Sequence, residues 1–276
     1  MIIIGDIGGI HLRVAASTAP DSFEEPVVYD TPADFAVANS TFAEAVARAA
    51  AGRPVERAII GIAGLVAPDH ATLLRSPHLR GWEHRNISQA FSHAIGSPVY
   101  IENDAMLGGL GEAVRGAGIG ASIVAYITVG TGLGGARIVD GKIDRNACGF
   151  EIGHQLLGVS LDAPEWELLV SGSGLEKRYG KPGSELNDIA IWNEAGERFA
   201  YGLYNTILYW SPERVVLGGA SFRLKNSIPI PVVKSTLRSI AVALEALPDI
   251  RPATLGDHSG LFGAMALHDA SGVPAV

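Results

Sequence analysis

Ile123-Val124-Ala125-Tyr126-Ile127-Thr128-Val129, then Gly130-Thr131-Gly132-Leu133-Gly134-Gly135, then Ala136-Arg137-Ile138-Val139 is the stretch on which the fold turns. The first run is apolar and β-branched and predicts a strand; the glycines predict a turn, and Ala136 to Val139 predicts a second strand before a further turn at Asp140-Gly141. Gly130, Gly132 and Gly135 satisfy the G-x-G-x-x-G spacing of dinucleotide sites, but such sites need a helix directly after the glycines, and here a strand follows. Gly141-Lys142 is not a phosphate-loop lysine either, because Ile143 stands where Ser or Thr is required and the upstream glycine spacing is wrong. The stretch reads instead as a glycine-turned hairpin.

The same pattern opens the chain. Met1 to Ile4 is an apolar strand that stops at Gly5-Asp6-Ile7-Gly8-Gly9, and Leu12-Arg13-Val14-Ala15-Ala16 resumes as a second strand. Strand, glycine turn and strand at both Met1–Ala16 and Ile123–Val139 predict two halves that begin alike and face one another. Glycines in such turns let backbone amides approach a phosphate, and Asp6 has the chemistry to hold a hydrated Mg²⁺; taken by itself, the first turn reads better as an ordinary hairpin.

Between the hairpins lies Ile101-Glu102-Asn103-Asp104-Ala105-Met106-Leu107-Gly108-Gly109-Leu110-Gly111-Glu112, preceded by the β-branched run Val99-Tyr100-Ile101. Its polar triplet is predicted at a strand-to-helix junction, where open α/β folds collect ligands, and offers two carboxylates and an amide for a polyhydroxylated substrate. Asp104 is the candidate general base; Asn103 or Asp104 is also a favoured helix cap, which is the better reading of the triplet taken alone.

The rest of the chain supplies frame and further candidates. Helices are predicted over Thr31 to Ala51, Asn193 to Trp210, Val233 to Leu247 and Gly260 to His268, and strands over Arg57 to Gly64, Thr72 to Arg75 and Val215 to Leu217. Gly64 lets something lie close to the backbone, Ser76-Pro77-His78-Leu79-Arg80-Gly81-Trp82 is a loop with His78 as a contact and Trp82 as its anchor, and Gly218-Gly219 is a turn suited to a flat ligand such as a purine. Ala113 to Gly120 reads as a glycine-punctuated connector and the domain boundary. Glu151 and His154 come to one side if the backbone turns helically between them, and Trp166 to Gly172 looks helical with Glu167 exposed at its start.

At 276 residues and 47% apolar content the chain buries a substantial core, in one large domain or two moderate ones. A formal charge of -8 without a basic cluster argues against nucleic acid or an anionic membrane as partner, and leaves small molecules. The single cysteine, Cys148, excludes an intramolecular disulfide; no apolar run is long enough to span a bilayer, and the opening residues carry no signal peptide, so a soluble cytoplasmic protein is expected.

Together these motifs resemble the ROK family of bacterial sugar kinases, within the actin, hexokinase and Hsp70 superfamily. Gly5-Asp6-Ile7-Gly8-Gly9 is similar to the family's first phosphate motif, Thr128 to Gly135 to the second, Ser76 to Trp82 to the substrate loop, Leu217-Gly218-Gly219 to the adenosine-side turn, and Gly260-Leu261-Phe262-Gly263-Ala264 to the closing helix. The resemblance implies an α/β protein of two RNase H-like domains with a ligand cleft between them, residues 1–112 plus 260–276 and residues 113–259. It implies a kinase that uses ATP and Mg²⁺ on a hexose or N-acetylhexosamine, and a homodimer. Asp104 would deprotonate the attacking hydroxyl; Gly64, His78, Asn103, Glu151, His154 and Glu167 would bind sugar; Asp6, Gly8, Gly9, Gly130, Thr131, Gly132, Gly134, Gly218 and Gly219 would hold the nucleotide, Asp6 reaching Mg²⁺ through water.

Three departures from the family pattern matter. Ile10 stands where the first motif normally ends in Thr, so one hydrogen bond to phosphate is missing, a loss of about 1.5–3 kcal/mol, or roughly ten- to a hundred-fold in rate. His78 stands where the substrate loop usually has Asn, so the recognised hydroxyl or its stereochemistry differs. Many relatives follow the Glu-x-x-His pair with cysteines that bind structural zinc together with the His; Gln155 to Glu165 has none, so no zinc is expected and His154 is left as a sugar ligand held by local packing. The alternative is a sugar-binding regulator without phosphoryl transfer, favoured by Ile10. It is opposed by intact Asp6, Asp104 and glycine turns, and by the absence of room for a helix-turn-helix before the first motif. Hydrolysis of phosphate compounds would leave the sugar-gripping residues unexplained.

Overall fold

The computed structural model describes residues 1–147 and 149–269, so Cys148 lies outside the described residues. The chain divides into two compact units, the first built from Met1–Gly111, Arg145–Gly149 and the chain from His258 on, the second from Glu112–Asp144 and Phe150–Asp257.

In the first unit, β1 (Ile2–Ile7) and β2 (His11–Ser17) form the expected hairpin, and β3 (Val27–Asp30) adds to its edge. β1 does not stop at Gly5 but continues through Asp6 to Ile7, because Gly5 and Asp6 are paired on both sides, antiparallel to Val14 and Arg13 and parallel to Ile60 and Gly61. The turn is therefore Gly8-Gly9-Ile10.

Helix α1 (Phe35–Ala50) starts later than predicted, because Asp34 caps it by accepting from the Val37 N–H, and Thr31 and Pro32 stay outside. β4 (Arg57–Ile62), the short ribbon β5 (Leu65–Val66), β6 (Thr72–Arg75) and β7 (Arg85–Asn86), α2 (Ile87–Ile95) and β8 (Val99–Asn103) follow. The main sheet runs β3-β2-β1-β4-β8. The apolar face of α1 meets α2 through Phe42 and Phe91, stacked at 4.0 Å, and Trp82 is fully buried beside them with its indole N–H donating to the Pro32 carbonyl. Trp82 thus anchors its loop, as its sequence position predicts.

Helix α3 (Asp104–Arg115) runs into the start of the predicted connector, whose remainder, 116–120, is a turn, and the division between units falls inside the helix at Gly111/Glu112. Glu112 explains the continuation: it is fully buried, and its Oε1 accepts from the N–H groups of Thr254 (2.9 Å) and Leu255 (2.8 Å) while Oε2 accepts from Ala117 (2.9 Å). With its oxygens so satisfied, the side chain ties the distant Thr254-Leu255 segment and the turn that follows α3 to one helix turn.

In the second unit β9 (Ile123–Val129), β10 (Leu133–Val139) and β11 (Lys142–Ile143) repeat the opening arrangement. After α4 (Trp166–Val170), α5 (Gly172–Tyr179) and the long α6 (Ile189–Trp210) come β12 (Arg214–Gly218), α7 (Ala220–Arg223), α8 (Ile230–Ile240) and β13 (Asp249–Pro252). The sheet order β11-β10-β9-β12-β13 matches that of the first unit strand for strand, so both are RNase H-like, and the strand β10 after the glycines bears out the rejection of a dinucleotide fold. Helix α8 begins before Val233, with Pro231 tolerated in its first turn, and ends before the predicted Leu247. Apolar spacing continues beyond Ile240, but Val242 is fully exposed and the chain turns out to pair β13 with β12.

The last helix, α9 (Ser259–Asp269), returns to the first unit and packs on β1 and β4. Gly111 and Gly263 make the crossing of α3 and α9 possible: a Cβ on either would fall inside the backbone of the facing helix.

Candidate functional site

The first domain brings two acids to one bare stretch of backbone. Asp104 opens α3 directly after β8, and Asp6 lies on β1; a Cβ on Gly61 would sit 3.4 Å from the Asp104 Cα and 3.6 Å from Asp6 Oδ1. Gly260 lies on another side of the Asp6 carboxylate, where a Cβ would be 3.5 Å from the same oxygen. Arg13 is across the hairpin, its Nη1 3.6 Å from Asp6 Oδ2. Glycines around a carboxylate leave space for a hydrated cation, and a single carboxylate with waters and phosphate oxygens is the donor set Mg²⁺ accepts, so Asp6 fits the role expected for it.

The three members of the Glu-Asn-Asp triplet part company. Asn103 is the cap of α3: Oδ1 accepts from the Met106 N–H at 3.0 Å, and Nδ2 donates to the Gly64 carbonyl at 2.9 Å. Glu102 is turned into the fold and does not serve as a second acceptor for substrate. It is 5% exposed, its Oε1 accepts from the Asn103 N–H, and Oε2 lies 3.2 Å from His70 Nδ1 and 3.5 Å from the Tyr100 hydroxyl. The His70 ring stacks on Tyr100, and the Glu102 carboxylate holds the His70 imidazole above its ordinary pKa against the opposing effect of burial. Burial first, and then Glu102, push the Tyr100 hydroxyl strongly up. Asp104, half-buried, is left as the triplet's carboxylate at the chain edge, with Oδ1 accepting from the Ala105 N–H.

The close approach expected at Gly64 is made by the protein's own chain. With φ +138, its missing Cβ leaves room for the Arg75 carbonyl and the Ser76 side chain. His78 is exposed and lies over the first glycine turn, since a Cβ on Gly9 would be 2.6 Å from the His78 Cβ. The turn is tied to a residue that carried no sequence signal: Thr31 donates its hydroxyl to the Gly8 carbonyl (2.8 Å) and its N–H to the Ile10 carbonyl (2.8 Å). Ile10 is 66% exposed.

In the second domain Glu151 precedes a 3-10 turn, Ile152–His154, and His154 Nε2 lies 3.7 Å from a Glu151 oxygen, as the helical spacing predicts. The other ring nitrogen, Nδ1, is 2.8 Å from Glu165. What replaces the cysteine segment is therefore more than packing: a bridge pairs Leu156 with Glu165, Trp166 donates its N–H to the Gln155 carbonyl, and the fully buried Trp166 ring fixes the far end. Glu165 holds the His154 pKa above its usual value, with Glu151 and Glu167 adding to the effect. Among the described residues no group of three or more His, Cys, Asp and Glu side chains is placed to hold a metal ion.

Glu167 is not an exposed helix-start residue. Its Oε2 accepts from the Leu133 N–H at 2.7 Å, inside the second glycine turn, and occupies the space a Cβ on Gly132 would need. Ser173 donates both its hydroxyl (2.7 Å) and its N–H (3.1 Å) to the Thr131 carbonyl, and Gly172 donates to the Gly130 carbonyl. The N–H groups of Thr131 and Gly132 have no recorded partner among the described residues, the arrangement that receives an anion. Gly134 follows within β10, opposite Thr128. Gly218 and Gly219 close β12; φ +88 at Gly219 and the Val129 backbone against it demand glycine there, and a Cβ on Gly218 would meet the Tyr126 hydroxyl. No helix among the described residues is long and apolar enough to cross a membrane.

Comparison with known proteins covers nearly the whole chain. The model of the ROK family matches residues 3–271. The fructokinase of Zymomonas mobilis is 31% identical over 208 residues, 67% of each chain. The xylose repressor of Caldicellulosiruptor bescii is 30% identical over 201 residues, 59% of this chain and 50% of the repressor. A ROK family glucokinase from Streptomyces griseus, solved in complex with glucose and AMPPNP, superposes with a TM-score of 0.82 at 26% identity, covering 96% of this chain and 98% of that one.

Proposed function

The chain belongs to the ROK family, and on that premise we propose that it is an ATP-dependent sugar kinase acting on a hydroxyl of a hexose or N-acetylhexosamine, with Asp104 as general base. The observation that carries this reading is the pairing of Asp6 and Asp104 about the bare backbone of Gly61. Phosphoryl transfer needs a base at the nucleophile and charge compensation at the phosphates, and these two carboxylates are of the right kind in the right domain. Asp104 takes the proton of the sugar hydroxyl as its oxygen attacks the γ-phosphorus, and ADP departs. Asp6 would hold Mg²⁺ through water, and the ion would supply charge neutralisation at the phosphate oxygens. His78 over the first glycine turn, and Glu151, His154 and Glu167 in the second domain, bind sugar hydroxyls; Asn103 sets the entry of α3 and retains one amide hydrogen beyond its contact with Gly64. Relatives named fructokinase and glucokinase support the reaction class, and the glucokinase complex with glucose and AMPPNP supports the two substrates. The protein works in the cytoplasm as a homodimer.

The rival reading, a sugar-binding regulator, is favoured by exposed Ile10 and by relatives such as the xylose repressor. An ADP-release assay with ATP, Mg²⁺ and a panel of hexoses, ketohexoses and N-acetylhexosamines separates the two. The kinase reading expects sugar-dependent ADP release that falls by roughly 10²–10⁴ in Asp104→Ala while sugar binding persists. A sugar that raises the melting temperature without stimulating release would establish the regulator; turnover near wild type in the variant would remove Asp104 as the base.

A further inference from the structure

Within the second domain a carboxylate expected to grip sugar is bonded to the turn expected to grip phosphate. Glu167 Oε2 accepts the Leu133 N–H at 2.7 Å, and the same oxygen fills the space beside Gly132. The carbonyls of that turn are all engaged: Gly130 by Gly172, Thr131 by Ser173, Gly132 by the Gly130 N–H. With its acceptors engaged, the turn keeps the Thr131 and Gly132 N–H groups without a hydrogen-bond partner among the described residues. Glu167 is the charged member of this lashing, and among the described residues no hydrogen bond reaches its second oxygen.

Resting on the kinase reading above, we infer that Glu167 is shared between the sugar and nucleotide sites and couples them, so that each substrate tightens the binding of the other. Two physical effects run the same way. A hydroxyl donated to the second carboxylate oxygen fixes the Glu167 rotamer, and with it the Leu133 N–H and the turn, so the ordering cost is met once for two ligands. The same hydroxyl offsets part of a negative charge that otherwise opposes a phosphate at the neighbouring N–H pair. Sugar gripped elsewhere in the domain would have neither effect.

The test is a set of dissociation constants on the full chain: AMPPNP with Mg²⁺ in the presence and absence of D-glucose, D-fructose or N-acetyl-D-glucosamine, and each sugar with and without AMPPNP. Wild type is expected to show a reciprocal tightening of roughly five-fold or more in both directions, since coupling is a property of the pair. In Glu167→Ala the ratio falls to about one. Glu167→Asp, one methylene shorter and unable to span both partners, gives the same result and serves should the alanine variant fail to fold. Ser173→Ala weakens AMPPNP binding while keeping the ratio. Slower hydrogen exchange at the Leu133 amide on adding sugar alone is expected in wild type and lost in both Glu167 variants. Both ligands binding without coupling in wild type, or coupling that survives in both Glu167 variants, overturns the inference and leaves the kinase reading standing; failure of all three sugars and AMPPNP to bind removes both.

Discussion

His154 is held in a carboxylate clamp, its Nδ1 2.8 Å from Glu165 and its Nε2 3.7 Å from Glu151. The first contact fixes which way the ring faces. A carboxylate partner favours the protonated ring, so both nitrogens donate, and the edge away from Glu165 is offered to an acceptor oxygen.

Glu165→Ala should therefore raise the sugar KM by roughly two- to five-fold with little change in kcat, the scale of a half-exposed ion pair. The pH profile gives the sign. The His154 pKa is raised, so its contribution to sugar affinity is present at low pH and lost as pH rises through the shifted value; in Glu165→Ala that loss moves to lower pH. Steady-state kinetics from pH 5 to 9 check both, and identical profiles would rule out the orienting role.

His70 and buried Glu102 form a pair that no ligand explains. The folded-state pKa of His70 lies above its unfolded value, so the pair's stabilisation is fully present below about pH 6.5 and disappears as pH rises through the raised value. His70→Ala is expected to lower stability by about 1 kcal/mol at pH 6, discounted because the imidazole is partly exposed, or roughly 2–4 °C in Tm. The gap between wild type and variant should narrow toward pH 9. Thermal melts across that range measure it, and a constant gap would assign the loss to the ring's stacking on Tyr100.

Ile10→Thr restores a hydroxyl at an exposed position, so the fold is indifferent to it and only phosphate contacts change. kcat/KM for ATP should rise by about ten-fold, the lower end of a hydrogen bond to a charged group. An unchanged value would mean that the first turn does not use that position.

Much of this was legible in the sequence because it is local. Ile123–Val129 is rich in β-branched residues and forms a strand over those residues, and the loop tryptophan Trp82 is buried as loop tryptophans commonly are. Gly5-Asp6 misled because glycine and aspartate favour turns, whereas strand partners on both sides hold them in the sheet. Glu112 and Glu165 left no signature: their partners lie 142 and 11 residues away, and a carboxylate that satisfies distant backbone or an imidazole looks, locally, like any surface Glu. Glu102 misled in the opposite direction, since a motif read as one polar unit is divided by strand alternation, which sends 102 to one face and 103 to the other.

Helix α9 has a consequence for synthesis. It supplies Gly260 beside Asp6 and packs on β1 and β4, yet it leaves the ribosome after every strand of the second domain. The usual N-terminal-first order of domain folding is therefore interrupted for this chain: the earlier half has all five strands of its sheet made first, yet it waits, one wall open, for a closing helix that is made only after the second domain's strands.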